Sequence, residues 1–201
     1  MGSKSLDFLK ADIFRITKTY STKQIIKNAF FNRSFKPIFT MRICQHLYER
    51  NTAISKLLLI IFRGLHRYVC NKAGIDLSWK TAIGPGFCIT HGWGTVISPL
   101  AVIGSNVTVF HGVTIGTKHK ILENGERVAG YPIIKDNVWI GANSVIIGGI
   151  TIGEGSSIAP MSMIHKDVAP HTIAGGNPQK ILKGNALEDV YNKVPIESLA
   201  G

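Results

Sequence analysis

His91 and His111 are the residues whose types and spacing most invite chemistry. A neutral imidazole with an ordinary pKa near 6.5 can take a proton from a hydroxyl at neutral pH and then return it. Each of the two is followed by glycine, in "THGWG" (90–94) and "HGVTIG" (111–116), and they stand 20 residues apart. Whether that interval brings them together depends on the frame that carries them. His119 falls in a charged segment and could reach a cleft of this or a neighbouring chain. His46, His66, His165 and His171 read as ordinary surface or core histidines. Cys44, Cys70 and Cys88 show no metal-ligand spacing, and their odd number argues against a disulfide framework. No metal is expected.

The frame is a six-residue beat. Aliphatic residues stand at Leu77, Ile83, Ile89, Ile97, Ile103, Val109, Ile115, Ile134, Ile140, Ile146, Ile152, Ile158 and Ile164; of these 13 positions 11 are Ile. Glycine follows at 84, 104, 116, 141 and 153. Six residues match neither a 3.6-residue helix nor strand alternation. They match a solenoid with one short strand and one corner per hexad, three hexads closing a coil of 18 residues. The beat slips between Ile89 and Ile97, eight residues instead of six, and the slip surrounds His91. Between Ile115 and Ile134 about 13 extra residues protrude, so 117–132 reads as a loop outside the coil. With one 18-residue coil plus the slip, the interval of 20 places His91 and His111 on one face of adjacent coils. Neighbouring strands lie about 4.8 Å apart, so the two imidazoles are expected to be neighbours. A bulge that re-aims a side chain is commonly a functional device.

The rest of the chain is organised around that repeat. Residues 1–72 read as a basic α-helical segment: the apolar positions of "SLDFLKADIFRITKTY", "IFTMRICQHLYERN" and "AISKLLLIIFRGLHRYV" suit helical faces, broken at Pro37 and at Asn51-Thr52. This third holds 14 Lys and Arg against 3 Asp and Glu, which is the whole net charge of +11; residues 73–201 balance 9 against 9. Such a segment reads either as a solvated helical surface or as a peripheral contact with an anionic membrane face. Nucleic acid is not expected, because Phe30, Phe31, Phe35 and Phe39 read as core rather than a stacking platform. No apolar run reaches spanning length and no secretory leader pattern opens the chain, so a cytoplasmic location, with the inner membrane face as a further option, is the expectation. Residues 73–184 form the repeat domain, and 185–201 a polar tail with little core signal, read as a short helix or disorder.

The repeat resembles the left-handed parallel β-helix of the hexapeptide acyltransferases, here about four coils, and the hand comes from that resemblance. The stretch "GIDLSWKTAIGPGFCITHGWGTVISPLAVIGSNVTVFHGVTIG" (74–116) is similar to the core of serine acetyltransferases. It resembles still more the O-acetyltransferases of colanic acid and capsular polysaccharide biosynthesis, which show a His-Gly pair at this slip, an "HGVTIG" string and a helical segment like "RSFKPIFTMRICQHLYERN" (33–51). The resemblance implies a mainly β fold, acetyl-CoA as acyl-donor substrate, and a homotrimer with three equivalent sites. It makes His91 the general base for direct attack of the acceptor hydroxyl on the thioester, without a covalent acyl-enzyme. Asp76 then fixes and stabilises its imidazolium, as the acid of a hydrolase triad does. His111 is a further polar group of the site, and the oxyanion donor is expected to be a backbone N–H near the slip or in the next coil. On the coenzyme side the resemblance implies the small corners at Ala142, Ala159 and Pro160, with Lys166, Lys180 and Lys183 toward its phosphates.

Two departures from the serine enzymes bear on the acceptor. Thr90 stands where they carry Asp, and Tyr131 precedes Pro132 where they carry His. Both positions handle serine in that family, so the expected acceptor is a hydroxyl of a sugar or polysaccharide precursor, with serine as the alternative. Two other classes remain: a non-catalytic β-helix scaffold, and a metal-dependent hydratase like the γ-type carbonic anhydrases, whose H-x4-H spacing is absent here.

Overall fold

The computed structural model describes residues 4–196. Four helices come first: α1 (Lys4–Thr17), α2 (Thr22–Phe31), α3 (Phe35–Arg50) and α4 (Ala53–Ala73). The sequence reading gave three pieces with a break at Pro37. The break lies instead at residues 32–34, where Asn32 Oδ1 accepts from the N–H groups of Ser34 and Phe35, each at 3.1 Å. Pro37 falls in the first turn of α3, where a helix has no use for its missing N–H. Helix α4 opens on a reciprocal cap between Thr52 and Ser55 and closes on Gly74 at φ +67°. A left-handed residue is needed there to turn the chain into the first strand, and glycine adopts it without strain.

Three parallel ladders then form the faces of a β-helix. The first holds β1 (Ile75–Leu77), β4 (Thr95–Ile97), β7 (Thr114–Gly116), β12 (Val145–Ile147) and β15 (Met163–Ile164). The second holds β2 (Ala82–Ile83), β5 (Val102–Ile103), β10 (Ile133–Ile134) and β13 (Thr151–Ile152), extended by a bridge to Val168. The third holds β3 (Cys88–Thr90), β6 (Thr108–Phe110), β11 (Trp139–Ile140), β14 (Ser157–Ile158), β16 (Ile173–Gly175) and β17 (Lys180–Lys183), of which β17 alone runs antiparallel. All 13 beat positions point inward and are buried, none above 5% exposed. Like sits on like: Leu77, Ile97, Ile115, Ile146 and Ile164 pair in sequence along one ladder. The expected coils are therefore present, with Ile75 and Ala174 extending the buried stack at its two ends.

The protruding segment is an ordered hairpin of β8 (Lys118–Ile121) and β9 (Arg127–Gly130) rather than a plain loop. The tail departs further from expectation. Residues 185–196 contain no helix of regular length, yet they pack back on the repeat, with Val194 0% exposed. Its N–H donates to Asn106 Oδ1 (2.9 Å), and Asn106 Nδ2 donates to its carbonyl (3.0 Å). A polar tail of this kind is held by backbone hydrogen bonds, which leave no apolar signature to read. The end of the tail, 197–201, lies outside the described residues.

Polar anchors fix the helices on the first coils. Arg42 and Asp12 form a fully buried ion pair at 2.8 Å. Asp12 also accepts the Phe87 N–H (2.8 Å), and Arg42 donates to the carbonyls of Ile83 (2.8 Å) and Gly84 (2.7 Å). His66 lies between Thr40 Oγ1 and the Leu77 carbonyl, each 2.8 Å from a ring nitrogen. A carbonyl only accepts, so Nε2 carries the proton and Nδ1 accepts from Thr40; burial holds His66 below the ordinary imidazole value. Among the described residues no helix is long and apolar enough to cross a membrane. The exposed apolar row of α4 (Ile54, Leu57, Leu58, Ile61, Leu65) contains no charge, and at 100° per residue Lys56, Arg63 and Arg67 lie on the opposite side of the helix.

Candidate active site at the slipped corner

The two extra residues form a tight corner between β3 and β4. His91 is exposed and takes a left-handed φ of +57°, strained for a residue with a side chain. The Trp93 N–H donates back to the His91 carbonyl at 2.6 Å. The Gly92 N–H donates to Ser34 Oγ (3.2 Å), the Gly94 N–H to the Gly74 carbonyl (2.8 Å) and the Gly112 N–H to the Trp93 carbonyl (2.7 Å). Glycine is required at 92: a Cβ there would stand 2.7 Å from Ile75 Cδ1 and 2.8 Å from Ile89 Cγ2. The slip thus aims one imidazole out of the coil, on a corner whose next three N–H groups, Gly92, Trp93 and Gly94, are all engaged.

His111 begins the equivalent corner of the next coil, and the two rings meet edge to face with centroids 6.5 Å apart. The interval of 20 residues therefore does what the register argument required of it. Among the described residues, His111 Nδ1 is buried without a hydrogen-bond partner, an unsatisfied polar atom on the side chain next to His91. Asp76 is different. It lies in β1 beneath Val96, its side chain exposed, in a cleft it shares with Arg63, Arg67 and Asn71. Among the described residues no hydrogen bond or ion pair joins Asp76 to His91. The backbone donors expected nearby, on Gly92, Trp93, Gly94 and Gly112, are all engaged within the chain.

The residues assigned to the coenzyme side continue the same corner column. The Asn143 N–H donates to the His111 carbonyl, and the Met161 N–H to the Ala142 carbonyl. Ala159 follows: its carbonyl accepts from Ser144 Oγ (2.9 Å) and Ser162 Oγ (2.6 Å), and its Cβ leaves only 2.7 Å for one on Gly175. A Cβ on Gly141 would meet Pro160 N at 2.6 Å, so this part of the corner has room only for small residues. Lys180 pairs with Gly175 and Lys183 with Ile173, both exposed on β17. Lys166 joins them through Gln179, whose Oε1 accepts the Lys166 N–H at 3.0 Å. From β3, which leads into His91, the ladder climbs five strand spacings, about 24 Å, to β17 at this basic end.

Several side chains at the site carried no signal in the repeat. Arg33 stacks its guanidinium 3.9 Å from the centroid of the Trp93 ring, and Ser34 beside it holds Gly92. The turn between α2 and α3 is thus fastened to the slipped corner. Both residues open the motif at 33–51 quoted above; the motif was visible, its contact was not. Arg15, Phe110, Trp139 and Asp189 line a small cleft with Cys88 and Thr90, one residue before His91. Cys88 is packed there, and burial pushes its thiol up.

The comparisons with known proteins agree with this architecture. A sequence model of the bacterial transferase hexapeptide (six repeats) matches residues 131–166. Serine acetyltransferase 4 of Arabidopsis thaliana is 42% identical over 141 residues, covering 70% of this chain and 37% of that protein. The serine acetyltransferase of Bacillus subtilis is 36% identical over 149 residues, covering 74% of this chain and 63% of that protein. Among solved structures, serine acetyltransferase of Neisseria gonorrhoeae superposes with a TM-score of 0.70 at 27% identity, covering 98% of this chain and 70% of that one. The chain spans about a third of the plant relative and just under two thirds of the Bacillus one. It carries the repeat and fold of the hexapeptide-repeat acetyltransferase superfamily. Within it, these relatives lie on the serine acetyltransferase side of the resemblance rather than the colanic acid and capsular side, which corrects the narrower expectation.

Proposed function

We propose that the chain is an acetyl-CoA-dependent O-acetyltransferase whose acceptor is a small hydroxyl compound of the serine type. The observation that carries this reading is His91, held left-handed on an irregular corner with His111 in the next coil. The names of the relatives favour serine over the sugar hydroxyl that Thr90 and Tyr131 suggested. His91 takes the acceptor's proton as its oxygen attacks the thioester carbonyl; the oxygen–carbon bond forms and the carbon–sulfur bond breaks. The imidazolium then protonates the departing thiolate, so no net proton is gained or lost and no acyl-enzyme forms. With the corner N–H groups engaged, the imidazole of His111 is the nearest unspent donor toward the developing oxyanion. Asp76 acts on this reading by its charge, not by a hydrogen bond to His91. Ala142, Ala159 and Pro160 line the way for the pantetheine arm, with Lys166, Lys180 and Lys183 at its phosphates. A neighbouring copy in a homotrimer would wall the other side of the column.

Thiol release from acetyl-CoA, followed with L-serine and with a panel of nucleotide sugars and glycans, tests the reading. His91→Ala is expected to lose at least ~10²-fold in turnover with an unchanged melting temperature. Full activity in that variant would remove His91 as base. Robust transfer to a sugar with none to serine would restore the other acceptor.

A further inference from the structure

Arg15 ends α1 only 3% exposed, yet among the described residues it has no carboxylate within ion-pair distance. Its Nε donates to the Tyr191 carbonyl (2.8 Å), Nη1 to the Gly86 carbonyl (2.7 Å) and Nη2 to Thr108 Oγ1 (2.7 Å). A guanidinium has five N–H donors, so two remain without a protein acceptor. Asp12 on the same helix is committed to Arg42 and the Phe87 N–H. A buried cation without a counter-ion is costly unless something supplies the anion.

The guanidinium forms one wall of a cleft of about 130 Å³, with Thr90, Phe110, Trp139 and Asp189 around it. At roughly 30 Å³ for each water, that is room for about four waters, or for one very small molecule. Phe110 and Trp139 pack against each other with centroids 5.0 Å apart and ring planes tilted by 53°, giving the cleft an apolar side. Asp189 brings a carboxylate to the same space, and it makes no ion pair with Arg15 across it. Thr90 and Phe110 immediately precede His91 and His111, so the cleft abuts the candidate base.

We propose that this cleft recognises the acceptor as a small zwitterion, its carboxylate on the two free N–H donors of Arg15 and its ammonium on Asp189, with the hydroxyl directed to His91. The inference rests on the acetyltransferase reading above. It also answers the departure at Thr90: the acid that the repeat lacks there is supplied by the tail, and the cation by the first helix. The competing role for Arg15 is purely structural, a staple holding the tail to β6.

Deleting charges on ligand and protein together separates the two roles. Binding by calorimetry and steady-state acetyl transfer are measured for L-serine, serinamide (no carboxylate), 3-hydroxypropionate (no ammonium) and glucuronate. The proteins are the unaltered chain, Arg15→Gln and Asp189→Asn. In the unaltered chain each truncated ligand is expected to bind at least ~10-fold more weakly than serine. In Arg15→Gln the serinamide penalty disappears, and in Asp189→Asn the 3-hydroxypropionate penalty disappears, while KM for acetyl-CoA stays unchanged in both. Penalties of the same size in variant and unaltered chain overturn the proposal, since a staple does not read the ligand. Should Arg15→Gln fail to fold in a thermal melt, the exposed Asp189 and 3-hydroxypropionate decide. Glucuronate binding tighter than serine also overturns it but leaves acetyl transfer standing. Serine bound with the expected penalties but never acetylated overturns the enzymatic reading alone.

Discussion

The β-helix and the helical cap solve the same problem, burial of a core, by opposite means. The β-helix repeats one interaction: an aliphatic side chain on its equivalent, coil after coil, each nearly interchangeable with the next. The cap is attached by single, unlike contacts, such as the Asp12–Arg42 pair, the His66 bridge from Thr40 to Leu77, and Arg33 against Trp93. In the repeat no single residue is decisive and the whole is legible. In the cap a few residues are decisive and none stands out in the sequence. The candidate active site lies where the two meet, at the corner that departs from the repeat and is clasped by the cap.

Variants on each side of that divide should behave differently. The largest effect is expected from Asp12→Ala, which leaves the buried Arg42 charge unpaired: a loss of about 3–5 kcal/mol, read by denaturant titration, with the helices becoming protease-sensitive before the coils. Coincident loss of both regions would show that the cap and the repeat are one cooperative unit. Ile140→Ala, in the middle of a ladder, should cost about 3 kcal/mol from the lost side chain and the cavity, spread over the coils rather than confined to the cap. Hydrogen exchange locates it, and protection lost in α1 and α3 alone would contradict the division. The smallest stability change belongs to Arg33→Ala, below about 1 kcal/mol for a partly exposed cation–π contact. It should nevertheless lower kcat several-fold with KM for acetyl-CoA unchanged, and Arg33→Lys should recover part of the loss. An unaltered kcat would mean that the corner holds His91 without help from the helices.

The same divide explains what could be read beforehand. The 13 inward positions, the coil register and the approach of His91 to His111 follow from spacing, because a repeat turns sequence distance into spatial distance. Pro37 misled because a proline's meaning depends on whether it falls in the first turn of a helix or its interior, and the turn at Asn32 that decides this is made by one side chain. The tail misled because its attachment uses backbone groups of Tyr191 and Val194, which every sequence possesses. Asp76 could be placed on its strand but not in contact with His91, since register fixes rungs and not rotamers. The cleft at Arg15 joins residues 15, 90, 139 and 189, and no local pattern connects them.

The hairpin and the slip have a consequence for folding. A column of nearly identical isoleucine rungs could pair one coil out of step at little energetic cost, because each rung would still meet an aliphatic neighbour. The 20-residue coil through His91 and the coil carrying β8 and β9 cannot be exchanged for any other, so a misaligned stack would have to swallow a two-residue corner or bury a charged hairpin. The irregularities thereby act as index marks on an otherwise uniform scale, leaving the chain one way to count its own coils.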